Sequence, residues 1–309
     1  MNKANKLYKY CDQNGLNILE NNEIKVSPFF DFNDPFEMKP RFDPDDINER
    51  IEPHLKRIDQ YIKENIPDYP ENKEYIPRFY SDKIEELKSK RMQTITPDCE
   101  KAFEGFANQG MRVLCLSTVS DNLLMWAHYA KHHKGFVIEF DGTHNFFREK
   151  IRQNKPSFRF SRSVSYTKHY NNKRPICRVS ESEIKKNFED CITNLFFIKS
   201  YHWEHEQEWR MIFPSDDKNI REETLQDNNK HFLLKFPPDC ISGVIIGCKA
   251  WEKENNQEES FAEKLINTIE ERRQYYSPNF QIRKAVLDEF EYRLNIENYP
   301  ETSQFTWCY

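Results

Sequence analysis

Residues 203–210 read Trp203-Glu204-His205-Glu206-Gln207-Glu208-Trp209-Arg210 and run directly into the apolar sequence Met211-Ile212-Phe213. Side chains alternate between the two faces of a β-strand, so a strand here would place Glu206, Glu208, Arg210 and Ile212 on one face. Trp209, Met211 and Phe213 would share the other face with Gln207. A solvated edge strand could also carry such charges, but a tryptophan on each side of them favours a strand that bears acidic residues of a functional site.

Composition predicts a soluble protein. The chain has 309 residues, of which 37% are hydrophobic and 31% charged, enough to bury one large core or two small ones. Its longest apolar run, over 241–248, is far shorter than the ~20 residues that a membrane helix needs. No hydrophobic segment follows the first six residues, so we expect no signal peptide, no membrane association and a cytoplasmic location.

Cysteine and glycine usage excludes several kinds of site. The eight cysteines form no Cys-x-x-Cys pair, which argues against a zinc ribbon and favours free thiols in a reducing cytosol. The seven glycines do not form a Rossmann fingerprint. Gly105 and Gly110 have the spacing of a phosphate-binding loop, but Met111 and Arg112 follow where Lys and Ser or Thr are required.

The pattern of apolar residues predicts one α+β domain over 1–309 with a helical insertion at 43–110. Helices are also predicted after Ser120-Asp121, through Tyr129, and around 261–269. Alternating or short apolar runs predict the strands, which we place at 7–10, 24–30, 113–117, 136–140, 164–166, 209–213, 232–236, 243–248 and 281–286.

Four sequence cassettes resemble those of the bacterial Domain of Unknown Function 2971 family. They are Leu7-Tyr8-Lys9-Tyr10, Phe32-Asn33-Asp34-Pro35-Phe36-Glu37, Leu124-Met125-Trp126-Ala127-His128-Tyr129-Ala130 and Trp203-x-x-Glu206-x-Glu208-Trp209-Arg210. The order of elements is similar, more loosely, to that of DarT-type ADP-ribosyltransferases. This resemblance implies a mixed β-sheet core like that of ADP-ribosyltransferases, and NAD as the co-substrate. It also implies a nucleic-acid or protein acceptor and a toxin or phage-defence setting with a partner protein.

Glu208 is the candidate catalytic carboxylate. Cleavage of the bond between nicotinamide and ribose develops positive charge on the sugar, which a nearby carboxylate stabilises. An ion pair with Arg210 or with a lysine of a neighbouring strand is the alternative. His128 is a second catalytic candidate, as an acid or base, and the alternative is a histidine hydrogen-bonded across elements.

Other residues of the four cassettes are candidates for holding NAD. A cation and a phenol at a strand end suit a ribose or diphosphate, although Lys9 could also be a surface residue. Asn33-Asp34-Pro35 also forms turns on its own, Ser27 could be a turn serine, and Trp126 could serve packing. The cofactor-binding candidates are Lys9, Tyr10, Ser27, Asn33, Asp34, Trp126, Tyr129, Glu206 and Arg210.

The segment 148–178 is strongly basic. It contains ten Lys or Arg residues against one acid, Glu149, and aromatic residues lie between them. Such a pattern suits a groove that tracks phosphates and stacks bases, while a solvated basic loop is the alternative. The nucleic-acid-binding candidates are Arg159, Arg162, Lys173, Arg174, Phe158 and Tyr166.

Two other functions remain open at this level. His202, His205 and Glu206 do not have the spacing of His-Glu-x-x-His, so we expect no metal site. A metal-dependent nuclease that uses the carboxylates at 204, 206 and 208 is nevertheless one competing class. A catalytically silent binding module of a defence system, in which Glu208 and Arg210 form a structural pair, is the other.

Overall fold

A computed structural model describes residues 4–37, 41–42, 109–148, 150–151, 158–167, 176–177, 196–225, 230–253 and 258–299. These residues form a mixed α+β structure with a large, mostly antiparallel sheet and few helices. The predicted helical insertion at 43–110 lies outside the described residues except at 109 and 110, and the single domain stays a prediction.

Sixteen strands are present in the described residues. In chain order they are β1 (Lys6–Cys11), β2 (Glu23–Val26), β3 (Arg41–Phe42), β4 (Met111–Ser117), β5 (Phe136–Asp141), β6 (Lys150–Ile151), β7 (Phe158–Ser163), β8 (Ser165–Tyr166), β9 (Ile176–Cys177), β10 (Ile198–Lys199), β11 (Glu208–Pro214), β12 (Ile220–Thr224), β13 (Lys230–Lys235), β14 (Ile241–Ile246), β15 (Gln281–Leu287) and β16 (Leu294–Asn298).

Nine of these strands form one sheet in the order β16-β15-β14-β5-β1-β4-β11-β7-β6. Its ladders are antiparallel except for that between β14 and β15. Strands β12, β13 and β2 form a second sheet, and the pairs β10-β8 and β3-β9 are parallel. All seven residues of β11 are buried, so both faces of the large sheet are covered at this strand.

The central sheet is joined between β1 and β4 at one point only. β1 pairs with β5 at each residue from Lys6 to Cys11, and β11 pairs with β4 from Glu208 to Pro214. Between β1 and β4 the ladder has the single pair Tyr8 and Ser117. The described sheet therefore consists of two well-paired halves that separate away from this junction.

Three α-helices lie in the described residues: α1 (Leu16–Asn21), α2 (Leu123–Tyr129) and α3 (Phe261–Arg272). Asn122 caps α2 by accepting hydrogen bonds from the backbone of Leu124 and Met125. Ser260 and Glu263 form a capping box on α3. Within the described residues no helix is long and apolar enough to cross a membrane.

The helices cover opposite faces of the sheet. Leu16 and Leu19 of α1 and Leu265 and Ile269 of α3 pack in the main core cluster. Trp126 of α2 belongs to a second cluster on the other face. The main cluster also holds Leu7, Cys11, Leu114, Leu116, Trp209, Met211 and Phe213, and the second holds Tyr8, Tyr10, Val137 and Ile245.

The strand predicted at 24–30 is shorter in the structure, whereas the charged strand predicted at 209–213 is longer and spans Glu208–Pro214. The strand at 24–30 ends at Val26, because Pro28 precedes a 3₁₀ turn over Phe29–Asp31. The charged strand begins at Glu208. Glu206 instead ends a 3₁₀ helix over Tyr201–Glu206, and Gln207 adopts a left-handed conformation with φ of 40°. The prediction that Glu206 lies on the strand was therefore wrong, whereas the separate faces of Trp209 and Ile212 are confirmed.

Gly247 allows a close approach to the segment that contains His133 and Gly135, and it provides a test of this packing. An alanine Cβ there would lie 2.2 Å from the carbonyl oxygen of His133 and 2.6 Å from that of Gly135. We expect Gly247→Ala to lower the free energy of unfolding by roughly 2–3 kcal/mol, since backbone atoms must move. Denaturant titration measures this change.

Gly110→Ala is the matched control, because its Cβ would meet nothing within 4 Å. Its free energy of unfolding should stay within about 0.5 kcal/mol of the parent value. Equal stability of the two variants would contradict the packing described around Gly247.

Candidate active site

Glu208 and Arg210 form a bidentate ion pair on one face of β11. Glu208 Oε1 accepts a hydrogen bond from Arg210 Nε at 2.9 Å, and Oε2 accepts one from Nη2 at 2.8 Å. The Arg210 side chain is 0% exposed, and that of Glu208 is 4% exposed. A buried guanidinium requires such partners, because an unpaired charge in the interior is strongly unfavourable.

Arg210 also joins β11 to two distant segments. Its Nη2 donates to Glu37 Oε1 at 2.6 Å, and its Nη1 donates to the carbonyl oxygen of Phe196 at 2.7 Å. The guanidinium carbon lies 5.5 Å from the centre of the Phe32 ring. The N-terminal cassette that contains Phe32 and Glu37 is thus anchored to the strand that contains Glu208.

Lys199 lies among three carboxylates. Its Nζ is 2.6 Å from Glu206 Oε2, 3.3 Å from Glu37 Oε2 and 3.4 Å from Glu208 Oε2. The side chain is 9% exposed, and Nζ is 4.9 Å from the centre of the Trp203 ring. We call Glu37, Lys199, Glu206, Glu208 and Arg210 the buried charge cluster.

Glu206 connects the buried charge cluster to the surface. Its Oε1 accepts a hydrogen bond from the Tyr129 hydroxyl at 2.7 Å. That hydroxyl in turn accepts one from Asn33 Nδ2 at 3.2 Å, and Asn33 is exposed. Tyr129 at the end of α2 therefore holds the carboxylate in a fixed orientation next to an amide that solvent reaches.

The backbone around Glu206 is fixed by three side chains. Ser117 Oγ donates to the carbonyl oxygen of Glu206 at 2.7 Å, and Thr118 Oγ1 donates to that of Gln207 at 3.1 Å. Asn122, the cap of α2, donates from Nδ2 to the carbonyl oxygen of His205 at 3.0 Å. The end of β4 and the start of α2 thus set the position of the Glu206 side chain.

Electrostatics keep Glu208 ionised. Burial alone would raise its pKa, but the adjacent Arg210 and then Lys199 lower it from 4.5 to about 2. Burial would lower the pKa of Lys199, yet Glu208, Glu37 and Glu206 raise it above its usual value.

Glu37 behaves differently from Glu208. Burial raises its pKa, and this effect exceeds the opposing effect of Arg210. Its Oε2 accepts no hydrogen bond, although Lys199 Nζ is 3.3 Å away. The cluster has three carboxylates and two cations, so a proton on Glu37 would bring the net formal charge of the cluster to zero.

The first-strand candidates lie at the junction of the two sheet halves. Lys9 is half-buried, and its Nζ donates to the carbonyl oxygen of Cys115 at 3.2 Å, across from β1 to β4. The buried Tyr10 hydroxyl donates to the carbonyl oxygen of Val119 at 2.9 Å. Ser27 is not part of this junction: it follows β2 and pairs through its backbone with Val113, whose carbonyl oxygen accepts a hydrogen bond from the Ser27 amide at 2.9 Å.

Three more candidates lie around the turn and the helix. Asp34 is buried and accepts a hydrogen bond from the amide of Phe36 at 2.9 Å, which is the geometry of a turn former. Trp126 is buried, and its Nε1 donates to the carbonyl oxygen of Ser120 at 2.8 Å. His128 is exposed, and its ring centre lies 6.4 Å from that of Tyr129.

Arg159 and Arg162, in the described part of the basic segment, pack against aromatic rings. Arg159 is buried, donates from Nη1 to the carbonyl oxygen of Phe146 at 2.8 Å, and lies 4.8 Å from the centre of the Phe213 ring. Arg162 is half-buried, with its guanidinium 5.8 Å from the centre of the Phe160 ring. Lys173, Arg174 and the Phe158 side chain lie outside the described residues.

Tyr166 belongs to the site by a contact that its place in the basic segment does not indicate. Its hydroxyl accepts a hydrogen bond from the backbone amide of Glu208 at 2.8 Å. This bond fixes the beginning of β11 from the side opposite Ser117.

Glu37 and Lys199 are site residues that the sequence did not identify. Glu37 is the last residue of the cassette that begins at Phe32, so its membership of that cassette could have identified it as a site residue. Lys199 lies in a two-residue strand, where neither period nor spacing distinguishes it from a surface lysine. No group of three His, Cys, Asp or Glu residues that could hold a metal ion occurs in the part of the chain that the structure describes.

Comparison with known proteins gives one family. Residues 125–211 match the family described as Protein of unknown function (DUF2971), and the predicted resemblance is confirmed over these residues. Neither the curated proteins nor the solved structures gave a match to the chain. The matched segment runs from α2 to β11 and includes Tyr129, Lys199, Glu206, Glu208 and Arg210.

The Glu208 pair predicts how stability responds to acid. The pKa of Glu208 is lowered in the folded state, so the contribution of this carboxylate to the free energy of unfolding is present above about pH 4.5 and is lost as the pH falls towards 2. Glu208→Gln should remove that part of the acid dependence. It should also lower the free energy of unfolding at pH 7 by roughly 3–5 kcal/mol, because Arg210 stays buried with a neutral partner. Denaturant titrations between pH 2 and 7 measure both effects.

Glu204→Gln, in the 3₁₀ helix Tyr201–Glu206 that precedes β11, controls for the loss of one carboxylate. It should keep most of the acid dependence. If Glu208→Gln and the parent lose stability in parallel between pH 4.5 and 2, the ion pair does not stabilise the fold as described.

Proposed function

We propose that this chain, with its DUF2971 segment over residues 125–211, is an ADP-ribosyltransferase-like effector that uses NAD as co-substrate. The acceptor is a nucleic acid or a protein, and the setting is a bacterial toxin or phage-defence system with a partner protein. The carboxylate that acts on the sugar is Glu206, which Lys199 and Tyr129 hold in place, while Glu208 and Arg210 form the buried pair behind Lys199.

The observation that carries this proposal is the convergence of all four cassettes at the junction of the two sheet halves. Glu208 lies opposite Ser117, and Ser117 lies opposite Tyr8, so the charge cluster adjoins the point where β1 and β4 separate. Lys9 spans the separation with its side chain. Backbone amide and carbonyl groups where a ladder opens can recognise a carboxamide such as that of nicotinamide.

Glu206 fits the required chemistry better than Glu208 does. Both oxygens of Glu208 accept hydrogen bonds from Arg210, and this pairing offsets the negative charge that a developing cation would need. One oxygen of Glu206 accepts a hydrogen bond from Lys199, and the other accepts one from the neutral phenol of Tyr129. A fixed carboxylate of this kind stabilises positive charge that develops on the ribose.

The neighbouring residues have roles that follow from their contacts. Tyr129 orients Glu206, and the exposed Asn33 amide marks where a bound molecule would meet the network. Lys9 supplies a cation at the opening for a diphosphate. The contacts of Trp126, Tyr10 and Asp34 instead support the shape of the site.

Glu206→Gln tests the proposed role of this carboxylate. Glutamine keeps the size and an oxygen acceptor for Tyr129, but it removes the negative charge. NAD cleavage by the purified protein should fall by ~10²-fold or more, while the cooperative unfolding transition is retained. Release of nicotinamide from NAD, measured beside a denaturant titration, gives both quantities.

Tyr129→Phe should lower the same activity less, since it removes the orienting hydrogen bond and leaves the charge of Glu206. Glu204→Gln serves again as the control and should cleave NAD at the parent rate. Full activity of Glu206→Gln would refute its role. Absence of NAD cleavage by the parent, with and without acceptors, would refute the proposed function.

The complete pairing of Glu208 favours a second candidate, a catalytically silent binding module. In that case the charge cluster would only connect the N-terminal cassette to β11. Glu206→Gln and Glu208→Gln would then both change stability, and neither would change an activity.

Metal dependence separates the transferase from a nuclease. No group of three His, Cys, Asp or Glu side chains in the described residues could hold a metal ion, so we expect NAD cleavage to be unchanged by EDTA. Loss of activity with EDTA and its recovery with Mg²⁺ or Mn²⁺ would favour the metal-dependent nuclease instead.

A further inference from the structure

The loop between β15 and β16 exposes three large apolar side chains. Phe290 is 92% exposed, Tyr292 is 102% exposed and Leu287 is 67% exposed. The two aromatic side chains alone present roughly 300–500 Å², which is comparable to the largest apolar patch of a typical monomer. We call residues 287–293 the aromatic loop.

The aromatic loop is held in one conformation by Asp288. Asp288 Oδ1 accepts hydrogen bonds from the amides of Phe290 and Glu291, both at 2.9 Å. Its Oδ2 accepts from Arg293 Nε at 3.0 Å and from Asn295 Nδ2 at 2.9 Å. A loop that is already ordered loses little conformational entropy when it binds, so its exposed rings are available for binding.

The loop lies at one end of the central sheet. β16 is one of the two edge strands of the described nine-stranded sheet, and its ladder to β15 pairs Leu287 with Leu294 at the base of the loop. The rings of Phe290 and Tyr292 therefore extend from a rigid two-stranded base. They lie in a different part of the chain from the four cassettes.

The charges of the aromatic loop select the partner. The loop contains three acidic residues, Asp288, Glu289 and Glu291, and one cation, Arg293. Arg293 Nη1 lies 3.3 Å from Glu291 Oε2. This net negative charge disfavours nucleic acid and anionic lipid. A symmetric contact between two copies would bring the acidic residues of both together, which is also unfavourable.

We infer that the aromatic loop is a docking site for a segment of another protein in which Lys or Arg residues alternate with apolar ones. The cations of such a segment would lie over the rings of Phe290 and Tyr292 and near Glu289 and Glu291. Its apolar side chains would cover Leu287. This surface is independent of the NAD-cleaving function proposed for the charge cluster.

Two labelled peptides of equal length test this inference. One alternates Arg with Leu and the other alternates Glu with Leu. Fluorescence anisotropy with the full chain should show binding of the basic peptide only, and its affinity should fall as salt rises. The double variant Phe290→Ser, Tyr292→Ser should bind the basic peptide at least tenfold more weakly than the parent.

Tyr275→Ser is the matched control, because Tyr275 is also exposed, at 51%, and lies outside the aromatic loop. It should bind the basic peptide as the parent does. The inference is overturned if both peptides bind equally, if neither binds, or if the double variant binds as the parent does. It is also overturned if sedimentation shows a parent dimer that the double variant loses, since a second copy would then be the occupant.

Discussion

The fully buried guanidinium of Arg210 is the constraint on which the rest of the site depends. A charge of this kind is tolerated in the interior only when each of its donors has an acceptor in good geometry. Glu208 supplies two, Glu37 one and the Phe196 backbone one. The segments that contain Glu37 and Phe196 must therefore both contact β11 for the guanidinium to be fully paired.

The same requirement positions the buried Glu206 beside residues that reach the surface. Glu208 also attracts Lys199, and Lys199 in turn binds Glu206, so the carboxylate nearest to the Asn33 amide is held from within the core. The left-handed Gln207 lets the chain turn between Glu206 and Glu208. Rigid support of this kind is what an acid that acts on a bound substrate needs.

Sequence patterns predicted the elements of the fold well where the period was regular. The alternation of Trp209, Met211 and Phe213 correctly placed these residues on one core face of β11. The same alternation failed at Glu206, because one left-handed residue changes the direction of the chain. Lys199 and Glu37 were missed because their roles arise from contacts with Arg210 and Glu208 that no local pattern contains. Likewise, a count of charges could not show that Arg159 packs on Phe213.

A double-mutant cycle between Glu37 and Arg210 tests most directly whether the buried charge cluster acts as one unit. The free energy of unfolding would be measured for the parent, Glu37→Gln, Arg210→Lys and the double variant. The two residues are 173 positions apart in the chain, and Arg210 Nη2 lies 2.6 Å from Glu37 Oε1. If the cluster acts as one unit, the coupling energy should be roughly 1–3 kcal/mol; effects that add within about 0.5 kcal/mol would show that it does not.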